Sequence, residues 1–281
     1  MFADLHIHMI LDGIYFRDAI DAQKLRPNDS LIRARLEQYR AQGVTFLRDG
    51  GDAWGVCLRA KELAREYGID YRCPAFPIHK RGHYGGFIGR GYDTFEDYLG
   101  LLAEAEKQGA DFIKLMISGL IDFSKPDTLT QESLEGEEII RLIETAHRRG
   151  FAVMVHANGD QAVNAALEAQ VDSVEHGAYL SEETLLRLKH TLWVPTLSTI
   201  GNLIGSGRYP DAVLLPLLRQ QQEKVLFVAS HGGLIGLGSD AGAFRVQHSK
   251  AVQDERGYLR AISDANLLRA ESYAKGRFQR S

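Results

Sequence analysis

Short apolar or β-branched runs alternate with longer segments of helical spacing along the whole chain. The runs lie at 2–8, 44–49, 71–78, 112–118, 152–157, 173–177, 192–198 and 234–239. Each is bounded by turn residues and too short for a buried helix, so each predicts a strand. Between them, apolar residues fall three and four apart. Ile32, Leu36 and Tyr39 mark the first helix, with Asn28, Asp29 and Ser30 as caps before it and Gly43 closing it. Leu58, Leu63 and Ala64 mark the second, closed by Gly68, and Thr94 with Asp97 reads as a capping box opening the third. Further helices are expected at 134–149, at 161–169, after a Ser181 cap, at 211–230 and at 254–275, with a basic tail expected to fray behind the last.

Strand then helix, repeated eight times, predicts a parallel sheet. Eight units in 281 residues predict an α/β fold closed into a (β/α)8 TIM barrel, with one domain over 1–281. The open, doubly wound alternative announces itself with Gly-x-Gly-x-x-Gly after the first strand, and no such turn stands there. A barrel places its chemistry at the C-terminal ends of its strands, so candidate ligands should gather there.

Composition narrows the partners. The chain is 44% hydrophobic and 25% charged, with a formal net charge of −4, so nothing argues for a nucleic-acid or membrane-surface partner. Cys57 and Cys73 make no disulfide framework and no Cys-x-x-Cys site. No apolar run approaches a membrane span and no leader pattern precedes the first strand, so a cytoplasmic protein is expected.

The strand ends carry ionisable residues. His6 and His8 sit two apart in the first strand, pointing the same way if the run is regular. Lys114 is a charged residue inside the apolar fourth strand, His156 ends the fifth, His176 the sixth, and Asp240 follows the eighth. Each alone reads as a buried polar residue satisfied by hydrogen bonds. Together at one end of one barrel they read as ligands for divalent metal.

That order, His-x-His, Lys, His, His and Asp, resembles the amidohydrolase superfamily of metal-dependent hydrolases. The stretches 112–119, 156–159 and 173–177 are similar to its branch of Xaa-Pro dipeptidases and imidazolonepropionase. The resemblance implies a hydrolase of carbon–nitrogen bonds. It implies two Zn2+ ions bridged by carboxylated Lys114, with His6, His8 and Asp240 on one and His156 and His176 on the other. A hydroxide held there would attack an amide or cyclic amide, and Asp240 would shuttle the proton. Mn2+, Fe2+ or a single ion on His6, His8, His156 and Asp240 are the alternatives. Single-ion deaminases place a glutamate soon after the fifth-strand histidine, and none follows His156 here. Members of the branch commonly add a small β-sandwich, which this sequence is expected to lack, leaving barrel surface for a homo-oligomer.

Other residues are weighed against blander roles. His79 and His83 lie in the glycine-rich stretch 79–91, read as one long loop. Related enzymes often have a Gly-Gly-His there, and Arg81-Gly82-His83 resembles it, implying His83 as a catalytic and substrate contact. Arg48 is read as a support inside the barrel, Asp49 and Asp52 as turn residues near the site, and His248 as within reach of the mouth. Arg81, Arg90 and Arg245 are candidate contacts for an anionic, carboxylate-bearing small molecule. Rival readings are a lactone, ester or phosphoester hydrolase on the same centre, or a silent metal- or ligand-binding barrel.

Overall fold

A computed structural model describes residues 2–125 and 127–280. In chain order the first half holds β1 (Phe2–Ile7), α1 (Phe16–Asp21), α2 (Asp29–Ala41), β2 (Val44–Asp49), α3 (Val56–Ala64), β3 (Asp70–Arg72), β4 (Pro77–Lys80), β5 (Arg90–Tyr92), α4 (Phe95–Lys107) and β6 (Ile113–Met116). The second half holds α5 (Gly136–Arg148), β7 (Val153–Ala157), α6 (Asp160–Glu168), β8 (Ser173–His176), α7 (Glu182–Leu188), β9 (Leu192–Val194), α8 (Ser198–Gly201), α9 (Asp211–Ser230), β10 (Leu234–Ile235), α10 (Ala251–Tyr258) and α11 (Asp264–Arg277).

Every named strand pair is parallel. β1, β2 and β3 form one sheet, and a second runs in the order β10, β9, β8, β7, β6, β4, β5. The two sheets meet twice. The expected third strand is split: β3 pairs with β2, while β4 pairs with β6. Pro74 and Pro77 lack an N–H and Ala75 is left-handed (φ 64°), so the ladder breaks between the halves. The second junction lies beyond β10, where Leu5 N donates to Leu237 O (2.8 Å), Asp240 N to His6 O (2.7 Å) and His8 N to Ala241 O (2.7 Å).

Capping follows the sequence signals. The Asn28 side chain accepts from Ser30 N and Leu31 N, Thr94 and Asp97 form the capping box, and Ser181 accepts from Thr184 N. Four expectations need correction. The run 192–198 is a strand only to Val194, because Thr196 turns left-handed (φ 49°) and α8 begins at Ser198. The helix 254–275 is two helices, the second opened by Ser263 accepting from Asn266 N. The stretch 79–91 is not one loop, since β5 starts within it and pairs with β4. The basic tail is held in place as far as it is described, to Arg280: Phe278 is fully buried against Phe112, and the Arg277 guanidinium pairs with Asp172; Ser281 lies outside the described residues.

Two hydrophobic clusters divide the interior. A large one packs the helices on the outer faces of the strands. A smaller one gathers Leu5, Phe46, Phe112, Met154, Leu192 and Val194 with Ala270, Ala274 and Phe278 of the last helix and its end. Phe46 and Phe112 stand toward the N-terminal ends of their strands, so the terminal helix and Phe278 plug that end. The opposite end is left for chemistry. No helix among the described residues is long and apolar enough to cross a membrane.

Candidate metal centre

Five of the six ligand-type residues gather at or just beyond the C-terminal strand ends, and Lys114 stands inside β6. His8 Nε2 lies 3.5 Å and His6 Nε2 3.7 Å from Asp240 Oδ1. Ligand atoms of His6, His176 and Asp240 all lie within 4.8 Å of one another. The His176 ring is 5.2 Å from that of His6 and 4.4 Å from that of His156. Lys114 is fully buried, and its amine has no hydrogen-bond partner among the described residues.

A bulge aims the first strand. Asp4 pairs with Leu47 and Ile7 with Asp49, so Leu5 and His6 both stand opposite Arg48. One extra residue shifts the alternation by one. Leu5 therefore joins the inner cluster while Ile7 joins the outer one, and His6 and His8 both turn inward. Gly50 leaves the room that His8 needs: a Cβ there would stand 2.4 Å from His8 Cε1.

Each histidine that makes a side-chain bond is held through one ring nitrogen. The His6 Nδ1–H donates to Glu175 Oε2 (2.8 Å), leaving Nε2 for the cluster. The His156 Nε2–H donates to the Gly119 carbonyl (3.2 Å), leaving Nδ1. His176 Nδ1 bonds Thr196 Oγ1 (2.7 Å), leaving Nε2. Such outer partners fix tautomer and ring orientation at metal sites. Glu175 is itself held: Arg48, fully buried, donates to Glu175 Oε1 (2.7 Å), Ser173 Oγ (2.9 Å) and the Leu5 carbonyl (2.7 Å). His176, Thr196 and Asp240 have φ values of 70°, 49° and 57°. For non-glycine residues this is uncommon, and such strain gathers where side chains must converge.

Burial sets the charges. It pushes His8 and His156 down to about 3, with neighbouring Lys114 adding to the effect, and holds His6 and His176 well below their usual value. All four are neutral at pH 7, the form that binds metal. Burial lowers Lys114 to about 8 against the pull of Glu175 and Asp240. It raises Asp240 to about 7 although Lys114 opposes it. Four neutral imidazoles, a carboxylate and an unpartnered amine fit divalent metal better than any hydrogen-bonded polar core.

Other candidates lie elsewhere. No hydrogen bond, ion pair or ring contact among the described residues joins His83 to the cluster; the neighbouring Tyr84 sits with its ring 4.8 Å from that of His156. The Tyr84 hydroxyl makes no hydrogen bond among the described residues, and burial raises its pKa. Arg81 Nε is paired with Asp93 (2.8 Å), and the Arg90 guanidinium pairs with Glu104 and lies over Phe76. Arg245 is exposed. His248 is a buried strut between Tyr39 Oη (2.9 Å) and the Leu11 carbonyl (2.8 Å). Asp49 and Asp52 accept from backbone amides, Met9 N and Gly51 N for one, Trp54 N, Val56 N and Cys57 N for the other. His79 packs against the glycine loop: at Gly85 (φ 121°) a Cβ would meet His79 Cβ at 2.8 Å.

Glu175, Thr196 and Tyr84 were not singled out from sequence. The only signal for Glu175 was a carboxylate directly beside a ligand candidate in a short strand.

No family model matches the chain. Over 170 residues it is 30% identical to an uncharacterized Mycobacterium tuberculosis protein, a stretch covering 57% of this chain and 44% of that one. Over 173 residues it is 33% identical to ochratoxinase of Aspergillus niger, covering 59% of this chain and 34% of the enzyme. The matched stretch thus spans less than half the length of either relative. The A. niger ochratoxinase structure superposes with a TM-score of 0.73 at 21% identity, over 98% of this chain and 70% of that one. A Xaa-Pro dipeptidase gives 0.72 at 20%, over 92% and 70%, and an amidohydrolase 0.72 at 20%, over 98% and 74%. The structural neighbours are amidohydrolase-type proteins, and the resemblance carried by the six strand-end residues extends to the fold.

Proposed function

We propose that the two sheets close as one (β/α)8 barrel and that the strand-end cluster is a two-metal hydrolase site. Its reaction is cleavage of an amide or cyclic amide bond in a small, carboxylate-bearing molecule. The observation that carries this is the Lys114 amine: fully buried, without a hydrogen-bond partner among the described residues, and within electrostatic reach of the four histidines and Asp240. The names Xaa-Pro dipeptidase and amidohydrolase among the structural neighbours favour an amide over an ester or phosphoester.

His6, His8 and Asp240 would hold one divalent ion and His156 and His176 the other. Bound there, such ions supply polarisation of the scissile carbonyl and acidify water. Lys114, unprotonated, can add its nitrogen to carbon dioxide, forming an N–C bond as one C–O π bond breaks and releasing a proton; the resulting carbamate would offer the ions an anionic oxygen ligand. Asp240 lies against both first-strand histidines and titrates near neutrality, so it can accept a proton and pass it to the leaving nitrogen. Ser239, next to it, is anchored through its Oγ (2.6 Å) and N (2.9 Å) on Asp4, which fixes the Asp240 backbone.

The test starts from metal-free protein, to which Zn2+ and bicarbonate are added before a panel of dipeptides, N-acyl amino acids and lactones. Amide hydrolysis needing both additions is expected. Because Lys114 titrates at about 8, its neutral fraction grows with pH below that value. At a fixed concentration of dissolved CO2, reactivation should therefore quicken about tenfold per pH unit up to roughly pH 8 and then level off. Hydrolysis that survives chelation, or turnover of lactones without amides, would contradict the reading.

A further inference from the structure

Aromatic rings continue outward from the ligand cluster. Tyr84 meets His156 at 4.8 Å, Phe87 meets Tyr84 at 5.7 Å, and Phe16 meets Phe87 edge-on at 5.7 Å. Tyr84 and Phe87 are partly buried against the core. Phe16 is 45% exposed, and beside it Ile14 and Tyr15 are 47% and 67% exposed. Scattered exposed apolar residues need no explanation, but a contiguous apolar row that runs from solvent to a buried polar cluster has the make-up of a ligand pocket. Two segments contribute to it, the start of α1 with the residues just before it and the loop after β4. The second is shaped for the purpose, since Gly85 lets the chain fold closely over His79 and present Tyr84 and Phe87 on one side. Arg81 and Arg90 are turned away into ion pairs, and the Arg17 guanidinium lies over the Phe16 ring (5.6 Å) at the outer end, so between Phe16 and the Tyr84 hydroxyl the row is apolar.

We infer that Tyr84, Phe87 and Phe16 form the specificity subsite of this centre and receive a bulky aromatic side chain of the amide substrate. The inference rests on the hydrolase reading above and narrows its substrate class. Rings prefer edge-to-face or offset contact with other rings, and they lose little conformational freedom on binding. An aromatic group seated on Phe87 and Phe16 would bring its amide toward the ligand cluster, and the free Tyr84 hydroxyl is placed to orient it.

The probe is equilibrium binding of N-acetylphenylalaninamide and N-acetylalaninamide to the zinc-loaded protein, to Phe16→Ala and Phe87→Ala, and to Phe87→Leu, which keeps apolar bulk. Phe16 is half exposed and Phe87 only partly buried, and neither is a ligand residue. The parent protein should bind the phenylalanine compound at least about tenfold more tightly. Each alanine variant should cut that preference by roughly 3- to 10-fold while leaving the alanine compound's Kd unchanged, with Phe87→Leu in between. Equal affinity for the two compounds, binding of neither, or equal weakening of both in the variants would overturn the subsite. Binding and turnover separate the two claims: preference without hydrolysis sinks the hydrolase reading, and hydrolysis without preference sinks the subsite.

Discussion

Replacing Lys114 by methionine should make the metal-free protein more stable and abolish its activity. The amine lies in the interior with no hydrogen-bond partner among the described residues. An unsatisfied buried polar group costs about 1–3 kcal/mol, and methionine fills a similar volume without that cost. For a chain of this size each kcal/mol moves Tm by roughly 2–4 °C, so Lys114→Met should melt a few degrees higher in scanning calorimetry. Hydrolysis should fall by about a thousandfold or more, because the proposed carbamate could no longer form at that position. A core that is improved by losing a residue keeps that residue for chemistry. If Lys114→Met melted lower and kept its activity, Lys114 would be a packing residue and the centre would not be built around it.

The second large effect is expected at Glu175. This carboxylate holds His6 through Nδ1 and neutralises Arg48, with all three buried. Removing one member of a buried pair costs about 3–5 kcal/mol because the other charge is stranded. Glu175→Leu should therefore be severely destabilised, and its loss of function alone would say little. The informative variant is Arg48→Met with Glu175→Leu. It strands no charge, so its stability should return to within about 1–2 kcal/mol of the parent. His6, however, has lost the acceptor that fixes its tautomer, and zinc affinity should fall by about 10- to 100-fold. Competition with a chelating dye measures this. Parent-like affinity in the double variant would show that Glu175 serves Arg48 alone.

The sequence carried the periodic part of this structure and the chemical identity of the cluster. Short apolar runs and their caps located most strands and helices, since burial and capping are local demands written every few residues. The order of the strand-end residues carried the resemblance to the amidohydrolase superfamily, and the structural neighbours are amidohydrolase-type proteins. What stayed hidden depends on contacts between distant segments. The bulge at Leu5 and His6 exists only because β1 must match β2 on one side and 237–241 on the other. Thr196 is an ordinary residue until its left-handed turn brings Oγ1 to His176. Tyr84 and His83 are adjacent in sequence, and only the fold of the glycine loop over His79 selects which of them faces His156. The candidate arginines fail for a similar reason: Arg81 and Arg90 found carboxylates from neighbouring elements, Asp93 and Glu104, that no local pattern announces.

The most direct measurement of the central claim is the number of ions per chain, by elemental analysis of protein purified without chelator and again after incubation with Zn2+ or Mn2+ and bicarbonate. Two ions per chain, falling to fewer than two in Lys114→Met, is the predicted result. No ion bound under either condition would contradict a metal centre at His6, His8, Lys114, His156, His176 and Asp240.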